Sequence, residues 1–208
     1  MIPSMRSPAL LTLVRHGETS ANLDGVWHGS TDTPLTQRGQ QQAQRVAGYL
    51  EGHAEAAAAI YSSPLRRALD TARAIARALS LDPVTHSGLR EYDLGDWEGR
   101  SYDSLYRNEQ LWEHMKKNPD FAPHGGESPR EVTVRFTAAL HGIAREHPGE
   151  RVIVVTHGGA LSMALADLLD GDYRKWGRVM DNCAVSELLL DPAPQLVCFN
   201  QTDHLEGI

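Results

Sequence analysis

The stretch that decides the fold is Leu11-Thr12-Leu13-Val14-Arg15-His16-Gly17-Glu18-Thr19. A second apolar run, Val152-Ile153-Val154-Val155, leads in the same way into Thr156-His157-Gly158-Gly159. Short, continuous apolar runs with β-branched residues are typical of parallel strands that are buried on both faces. In open α/β sheets the active crevice lies at the carboxyl ends of the strands. We therefore expect the imidazoles of His16 and His157 to open into one crevice.

The composition is that of an ordinary globular chain with an acidic surface. The 208 residues are 41% hydrophobic and 23% charged, and the formal net charge is −7. This length suffices for one well-cored domain. The negative charge argues against a nucleic-acid or anionic-membrane partner. An anionic substrate must therefore be bound by a local cationic pocket, and Arg15 directly before His16 marks the crevice as that anion site.

The two cysteines predict free thiols. Cys183 and Cys198 lie in the two arms of a predicted terminal hairpin, Cys183 to Leu190 and Gln195 to Asn200, joined by a turn at residues 191–194. If Leu190 faces Gln195, Cys183 lies about four residues beyond the partner of Cys198, a separation of roughly 13 Å at strand rise, which is too long for a disulfide. Free thiols indicate a reducing compartment.

The N-terminal segment does not have the pattern expected of a signal peptide. Pro3 and Pro8 interrupt it, the apolar stretch from Ala9 to Val14 is short, and no small-residue cleavage site follows. No run approaches the length of a membrane span. The expected location is the cytoplasm.

Strands and helices are predicted to alternate along the chain, which favours an α/β fold with a mostly parallel sheet. The segment from residue 92 to 126 is irregular and contains two of the four tryptophans; we expect it to form a lid or insertion over the crevice. The predicted strands are Leu10 to Arg15, Ala56 to Tyr61, Val84 to Thr85 and 152–155, and the predicted helices run from the N-cap Thr36 to Leu50, from Ser63-Pro64 to Leu79, from Glu127-Ser128-Pro129 to Glu146 and from Gly159 to Leu169.

His16 is the candidate nucleophile. A lone histidine at a strand end is usually a hydrogen-bonded structural residue, but here Arg15 precedes it and Gly17 lets a ligand approach the backbone. A neutral imidazole can attack phosphorus and hold the phosphoryl group as phosphohistidine. For that, Nδ1–H must donate to a carbonyl or carboxylate so that Nε2 keeps its lone pair.

The candidate phosphoryl clamps are Arg15 and an arginine of the 66–67 pair. Guanidinium groups bind phosphate oxygens bidentately, and Ser62-Ser63-Pro64 places Arg66 and Arg67 in the first turn of a helix. One of the two should face the pocket, while the other is a solvated helix residue.

His157 and a carboxylate complete the predicted chemistry. His157 would share the phosphoryl charge as a donor, although a structural histidine at a Gly-Gly turn is the better interpretation of that residue alone.

Ester cleavage also needs a proton for the leaving alkoxide and then a base for water. Glu91 and Asp93 both follow a strand-like segment and are the alternatives.

A zinc site is the competing interpretation of two histidines. Zinc normally takes a third His, Cys or carboxylate ligand at a suitable spacing and no adjacent arginine. The sequence contains neither an HExxH motif nor a Cys/His cluster. We therefore expect no metal.

Taken together, five blocks that span nearly the whole chain resemble the signature of the histidine phosphatase superfamily, also called the phosphoglycerate mutase-like family. Its arginine before alanine favours Arg67 over Arg66, and its acid block favours Glu91 over Asp93. The blocks are Arg15-His16-Gly17-Glu18-Thr19 with Asn22; Gly29 with Asp32-Thr33-Pro34-Leu35-Thr36 and Gly39; Ser62-Ser63-Pro64-Leu65-Arg66-Arg67-Ala68 with Thr71-Ala72; Leu89-Arg90-Glu91 with Gly95-Asp96-Trp97-Glu98-Gly99; and Thr156-His157-Gly158-Gly159.

The resemblance implies a three-layer α/β/α sandwich with one domain over residues 1–208 and a lid at about 92–126. It implies that His16 is phosphorylated and that Glu91 is the proton donor and then the base, without a metal or other cofactor. The implied phosphoryl and substrate contacts are Arg15, Arg67, His157, Asn22, Gly29 and Gly158. At His28 relatives often have a small polar residue, and we expect this histidine to narrow the entrance or contact substrate, with a structural role as an equal alternative.

Within the family, the lid favours the phosphatase branch. Mutases carry a longer insertion with a lysine and a paired arginine that bind a second anionic group, whereas this chain has Tyr102 near the lysine position and no arginine pair in the lid. Lys116-Lys117 is the nearby cationic pair, and it also fits a solvated helix face. We expect a metal-independent phosphomonoesterase that acts on small phosphorylated metabolites, as a monomer or homodimer.

Three alternatives remain open at this point. One is a phosphoglycerate mutase that needs a bisphosphate primer. Another is a more specific phosphatase, for α-ribazole phosphate or a sugar phosphate. The last is a non-catalytic module that binds phosphorylated ligands.

Overall fold

The sheet at the centre of the molecule has six strands. The computed structural model describes residues 7–53, 57–190 and 193–208, and the strands lie in the order β3-β2-β4-β1-β5-β6. Strands β1 to β4 are parallel, β5 is antiparallel to β1, and β6 is antiparallel to β5. Their bounds are β1 Ala9–Arg15, β2 Ala59–Ser62, β3 Pro83–Thr85, β4 Arg151–Thr156, β5 Val185–Leu190 and β6 Gln195–Gln201.

Helices cover both faces of this sheet, as the continuous apolar runs predict. Leu13 and Val154 pack into the core cluster of one face, whereas Val14 and Val155 pack into the cluster of the other. The first cluster contains α6 and α7, and the second contains α2 and α3, so the α/β/α sandwich is confirmed. The helices are α1 Ser20–Leu23, α2 Gln37–His53, α3 Arg66–Leu79, α4 Tyr102–Arg107, α5 Leu111–Lys117, α6 Pro129–Glu146 and α7 Gly158–Asp170.

Two helix starts follow the predicted capping chemistry. The Thr36 hydroxyl accepts the backbone N–H of Gly39 at 2.9 Å, at the start of α2. Ser128 and Glu131 form a capping box at the start of α6, with Pro129 in its first turn. Side-chain oxygens here satisfy N–H groups that have no partner within the helix.

The predicted start of α3 is wrong. The helix begins at Arg66, its N-cap is Leu65, and no side chain caps it. The Ser63 hydroxyl lies within hydrogen-bond distance of His157 Nε2, at 2.8 Å. Tertiary contact with the end of β4 therefore determines the position of this serine, and local helix capping does not.

The terminal hairpin agrees with the prediction in its cysteines and departs from it at the turn. Glu187 faces Cys198, which leaves Cys183 four residues beyond that partner, and both thiols are free. A register shift after Glu187 places Leu189 opposite Gln195, where we expected Leu190. The first arm is also shorter than predicted, because the strand begins at Val185. Four predicted positions lie outside the described residues: Pro3, Ala56, Asp191 and Pro192.

Residues 92–126 fold into short helices, namely a 3₁₀ turn at Gly95–Trp97 followed by α4 and α5. Glu98 joins this segment to the loop at residues 29–31. Its carboxylate accepts the backbone N–H groups of Gly29 at 3.1 Å, Ser30 at 3.3 Å and Thr31 at 3.4 Å. That the segment acts as a lid stays a prediction. None of the helices in the described ranges is long and apolar enough to cross a bilayer.

A close backbone approach holds the His16-Gly17 step against α2. A Cβ atom on Gly17 would lie 2.5 Å from the carbonyl oxygen of Gly39, and a Cβ on Gly39 would lie 2.1 Å from that of Glu18. Real Cβ contacts are longer than this, so both positions need glycine. The packing of α2 therefore fixes the loop that leaves the candidate nucleophile.

We predict opposite effects of alanine at two glycines of α2. Gly39→Ala should destabilise the fold by about 2 kcal/mol or more, because the backbone of Glu18 cannot yield to the new methyl group. Gly48→Ala is the matched control: its Cβ would meet nothing within 4 Å, and it should stabilise by about 0.5–1 kcal/mol through helix propensity. Urea unfolding measures both, and equal effects would contradict the close approach.

Candidate active site

The two predicted histidines meet at the carboxyl ends of adjacent parallel strands. Arg15 pairs with Thr156 in the register of β1 and β4, so His16 and His157 leave the sheet side by side. Their ring centroids are 5.2 Å apart, and both side chains are buried. His16 lines the cavity, whereas His157 is fully buried and is not among the residues that line it. That both imidazoles open into one crevice stays a prediction.

His16 has the protonation state that nucleophilic attack requires. Its Nδ1 lies 2.8 Å from the Gly17 carbonyl oxygen, and a carbonyl can only accept, so Nδ1 carries the proton. Burial lowers the pKa of His16 well below its usual value, and the positive charges of Arg67 and Arg15 lower it further. The ring is therefore neutral, with the lone pair on Nε2.

Arg67 is the cation around which the site is built. The side chain is fully buried. It donates from Nη2 to the carbonyls of His28 at 2.8 Å and Gly29 at 2.9 Å, and from Nη1 to that of Thr31 at 2.8 Å. Burial lowers its pKa to about 10, so the group remains charged at neutral pH. Arg66 is exposed and lies beside Asp70 instead, which settles the choice between the two arginines.

Arg15 supplies a second guanidinium. Its Nη1 donates to the Met180 carbonyl at 2.6 Å, whereas Nε is buried and has no hydrogen-bond partner among the described residues. Gly158 lies against the group, since a Cβ there would be 3.3 Å from Cζ. Both residues line the cavity. A buried donor without a partner is costly, and an anion beside it would relieve that cost.

His157 bridges Arg67 and Ser63. Nε of Arg67 donates to Nδ1 at 3.2 Å, so the proton of the neutral ring is on Nε2, which donates to Ser63 Oγ at 2.8 Å. Burial and the charge of Arg67 lower the pKa of His157 well below its usual value. The predicted donation to a phosphoryl group requires a proton on Nδ1 and therefore loss of the hydrogen bond from Arg67, because a guanidinium can only donate. His157 also does not line the cavity, so this donation stays a prediction.

Glu91 is fixed at the N-terminus of α7. Oε1 accepts the backbone N–H groups of Tyr92 at 2.8 Å and Ala160 at 2.6 Å, and Oε2 accepts that of Gly159 at 2.9 Å. These contacts hold the carboxylate at the edge of the cavity. The positive end of the helix dipole adds favourable interaction with a negative charge there.

Asp93, the alternative acid, has a different environment. Its Oδ1 accepts the hydroxyl of Ser30 at 3.2 Å and the N–H of Gly95 at 2.9 Å, and the residue does not line the cavity. In contrast, Arg135 donates to the backbone carbonyl of Glu91 at 2.8 Å and fixes that residue further. The geometry therefore favours Glu91.

Asn22 and His28 line the cavity, but Gly29 does not. The N–H of Gly29 bonds Glu98 and its carbonyl accepts from Arg67, so its role is structural, in place of the predicted substrate contact. His28 lies 5.9 Å from His16 between ring centroids, and burial with nearby Arg67 lowers its pKa to about 3.

The cavity has a volume of about 440 Å³, within the range of small-molecule sites. Sequence reasoning missed much of its wall. Trp27, Trp176, Val179 and Asn182 lie in segments without a periodic pattern. Asn182 donates to the backbone carbonyl of His16 at 2.9 Å. The residues that line the cavity are Arg15, His16, Asn22, Trp27, His28, Arg67, Glu91, Tyr92, Tyr102, Leu111, Trp112, Met115, Gly158, Gly159, Ser162, Met163, Trp176, Val179 and Asn182.

In the part of the chain that the structure describes, no group of three or more His, Cys, Asp or Glu residues is arranged to hold a metal ion. The two imidazoles of the site are instead flanked by the guanidinium groups of Arg15 and Arg67. This donor set suits an anion.

Neutral imidazoles between two guanidinium groups, at the carboxyl edge of a mostly parallel sheet, define an enzyme of the phosphatase class. The model of the histidine phosphatase superfamily, branch 1, matches residues 11–202, and the chain belongs to this superfamily.

Relatives include both mutase-like proteins and phosphatases. The chain is 41% identical over 157 residues to phosphoglycerate mutase-like protein 4 of Arabidopsis thaliana, covering 74% of this chain and 68% of that protein. The phosphoserine phosphatase of Entamoeba histolytica, solved with 3-phosphoglyceric acid, superposes with a TM-score of 0.83 at 30% identity, over 95% of this chain and 99% of that one. The α-ribazole phosphatase of Shigella flexneri gives a TM-score of 0.78 at 28% identity, over 92% and 96%.

The buried histidines predict a steep loss of stability below pH 6.5. The pKa values of His16, His28 and His157 are all lowered in the folded state. Below pH 6.5 the unfolded chain therefore binds protons that the folded chain does not, and stability falls as the pH falls. From pH 6 to 5 the three together should remove roughly 3–4 kcal/mol.

Denaturant unfolding at pH 7.5, 6 and 5 measures this loss. His28→Asn should reduce the slope by about a third, since it removes one of three such groups. A free energy of unfolding that stays constant between pH 6 and pH 5 would contradict the account.

Proposed function

We propose that the chain is a metal-independent phosphomonoesterase that hydrolyses small phosphorylated metabolites through a phosphohistidine at His16. One observation carries the proposal: burial, followed by the charges of Arg67 and Arg15, lowers the pKa of His16 and keeps the ring neutral, while the Gly17 carbonyl accepts from Nδ1 and leaves the lone pair on Nε2. Guanidinium groups both attract a phosphate ester and stabilise the charge that develops on it.

In the first step, Nε2 of His16 attacks phosphorus as the bond to the ester oxygen breaks. Arg15, Arg67 and His157 bind the phosphoryl oxygens, and Glu91 gives a proton to the departing alkoxide. In the second step Glu91 accepts a proton from water, the water oxygen bonds to phosphorus, and the P–N bond breaks to regenerate neutral His16.

Hydrolysis is favoured over mutase chemistry because the lid presents no second anion site. A mutase must retain its intermediate for rephosphorylation. Lys116 and Lys117 are exposed on α5 and do not line the cavity, and Lys117 lies beside Glu113 at 3.5 Å. Because one relative is phosphoglycerate mutase-like, mutase activity is the second candidate function. A non-catalytic binding module is disfavoured, because the positions of the nucleophile and the acid are occupied by His16 and Glu91.

The same proposal places the protein in a reducing compartment such as the cytoplasm, which the free thiols of Cys183 and Cys198 support. We propose a small phosphorylated molecule as the substrate, without a nucleic-acid or membrane partner. Either a monomer or a homodimer fits it.

The direct test is hydrolysis of p-nitrophenyl phosphate in excess EDTA. We expect activity to be retained, and His16→Ala to lower kcat by more than about 10⁴-fold, as removal of a nucleophile does. His124→Ala, on an exposed side chain of the lid, is the control and should be active. Loss of activity in EDTA that returns with a divalent metal would contradict the proposal.

Adjacent arginines provide a matched pair. Arg67→Lys should lower kcat/KM by about 10- to 100-fold, because a lysine cannot keep the charged hydrogen bonds that the guanidinium makes. Arg66→Lys should leave kcat/KM unchanged, since Arg66 is exposed. Equal effects of the two substitutions would mean that Arg67 does not bind the phosphoryl group.

A third assay separates the two candidate activities. With 3-phosphoglycerate and a bisphosphate primer, we expect release of inorganic phosphate to outpace formation of 2-phosphoglycerate. ³¹P NMR follows both products in one sample. Faster interconversion than release would establish the mutase.

A further inference from the structure

We propose that the alcohol portion of the substrate is apolar and uncharged, an alkyl or aromatic group bound by the lid side of the cavity. This inference rests on the proposed function, because it concerns the leaving group of the same reaction. The relevant surface is the leaving-group wall, defined here as Trp27, Tyr102, Trp112, Met115, Trp176 and Val179.

The charged residues of the cavity are all used at the reacting end. Of the residues that line it, those with formal charge at neutral pH are Arg15, Arg67 and Glu91. The first two bind the phosphoryl group in the proposed reaction, and the third transfers the proton. An anionic or cationic leaving group would therefore meet no opposite charge on the leaving-group wall.

Glu91 locates the point where the leaving group begins. A Cβ placed on Gly159 would lie 2.9 Å from Glu91 Oε1 and 3.0 Å from Cη2 of Trp27, so the carboxylate and this indole are close neighbours. The ring of Tyr102 lies 5.8 Å from that of Trp27, and burial, followed by the negative charge of Glu91, raises the pKa of Tyr102. An alcohol protonated by Glu91 thus lies against two aromatic rings.

Two polar groups on this side already have protein partners. The indole N–H of Trp27 donates to the Tyr92 carbonyl at 3.1 Å, and the hydroxyl of Ser162 donates to the carbonyl of Trp176. An apolar leaving group would leave both contacts intact.

Three arginines in the segments that carry the leaving-group wall pair with acidic residues. Arg178, next to Val179, lies 2.5 Å from Asp170, and Arg107, on the same helix as Tyr102, lies 2.5 Å from Asp103. Arg100 also pairs with Glu109. These pairs offset the positive charge of those three side chains.

The rim of the cavity is apolar as well. Large hydrophobic side chains are exposed at Leu23, next to the lining residue Asn22, and at Tyr102, Tyr106 and Val179. Tyr106 lies 6.1 Å from the ring of Trp112. Tyr102 and Val179 belong to the leaving-group wall, and Tyr106 adjoins it through Trp112, so exposed apolar side chains of the kind that mark binding surfaces extend the wall.

Normal alkyl phosphates from ethyl to octyl test the inference, because the acidity of the leaving alcohol stays nearly constant along the series. We expect kcat/KM to rise about two- to fourfold for each added methylene that becomes buried, until the cavity is filled. For wild type, 3-phosphoglycerate should be at least about tenfold poorer than butyl phosphate, which is one order of magnitude for an unpaired charge against an apolar wall.

Two substitutions test whether the leaving-group wall causes the dependence of kcat/KM on the leaving group. Trp112→Ala should flatten the rise of kcat/KM with chain length, because it removes apolar surface from the wall. Val179→Lys should raise the efficiency of 3-phosphoglycerate relative to hexyl phosphate about fivefold or more by adding a cation. Val197→Lys is its matched control, because Val197 is 51% exposed and Val179 is 52% exposed, and Val197 lies on β6.

The outcomes separate the two proposals. Turnover that is independent of chain length, or a wild-type preference for 3-phosphoglycerate, would overturn the apolar leaving group while leaving a phosphatase. No turnover of any ester in the series would overturn the proposed function itself. A gain with Val197→Lys equal to that with Val179→Lys would also contradict the assigned wall.

Discussion

A fully buried guanidinium organises this molecule. Burying a charge is costly unless hydrogen bonds replace its hydration, and Arg67 obtains them from three carbonyls of the 28–31 loop and from Nδ1 of His157. The loop, the start of α3 and the end of β4 are therefore folded around one cation. Glu98 ties the same loop to the lid segment, so the wall that would contact the leaving group depends on Arg67 as well.

The same cation contributes to the protonation state of its neighbours. Burial, followed by the charges of Arg67 and Arg15, disfavours a further positive charge. The pKa values of His16, His28 and His157 are therefore lowered and the three rings are neutral. A neutral imidazole has a lone pair, and a pocket with excess positive charge attracts a dianion. Binding and nucleophilicity thus have one electrostatic origin, and the loss of stability in mild acid accompanies them.

The sequence predicted the strands and site residues whose positions depend on short-range patterns. Apolar runs at residues 11–14 and 152–155 identified two buried strands, and their carboxyl ends predicted that His16 and His157 lie at the same edge of the sheet. Choosing Arg67 over Arg66 required the family motif, because both lie in one helical turn and helix periodicity alone does not say which is buried. Ser63 was assigned to a helix cap, but its contact with His157 is tertiary. Trp176, Val179 and Asn182 reach the site from an irregular segment whose path depends on packing that no local pattern encodes.

The central claim is that Nε2 of His16 receives the phosphoryl group, since Nδ1 is committed to the Gly17 carbonyl. ¹⁵N–³¹P coupling in the quenched phosphoenzyme, prepared with ¹⁵N-labelled histidine, measures this directly. The account predicts one phosphohistidine, at His16, with phosphorus coupled to Nε2. A phosphoryl group on Nδ1, on His157 or on no histidine would contradict it.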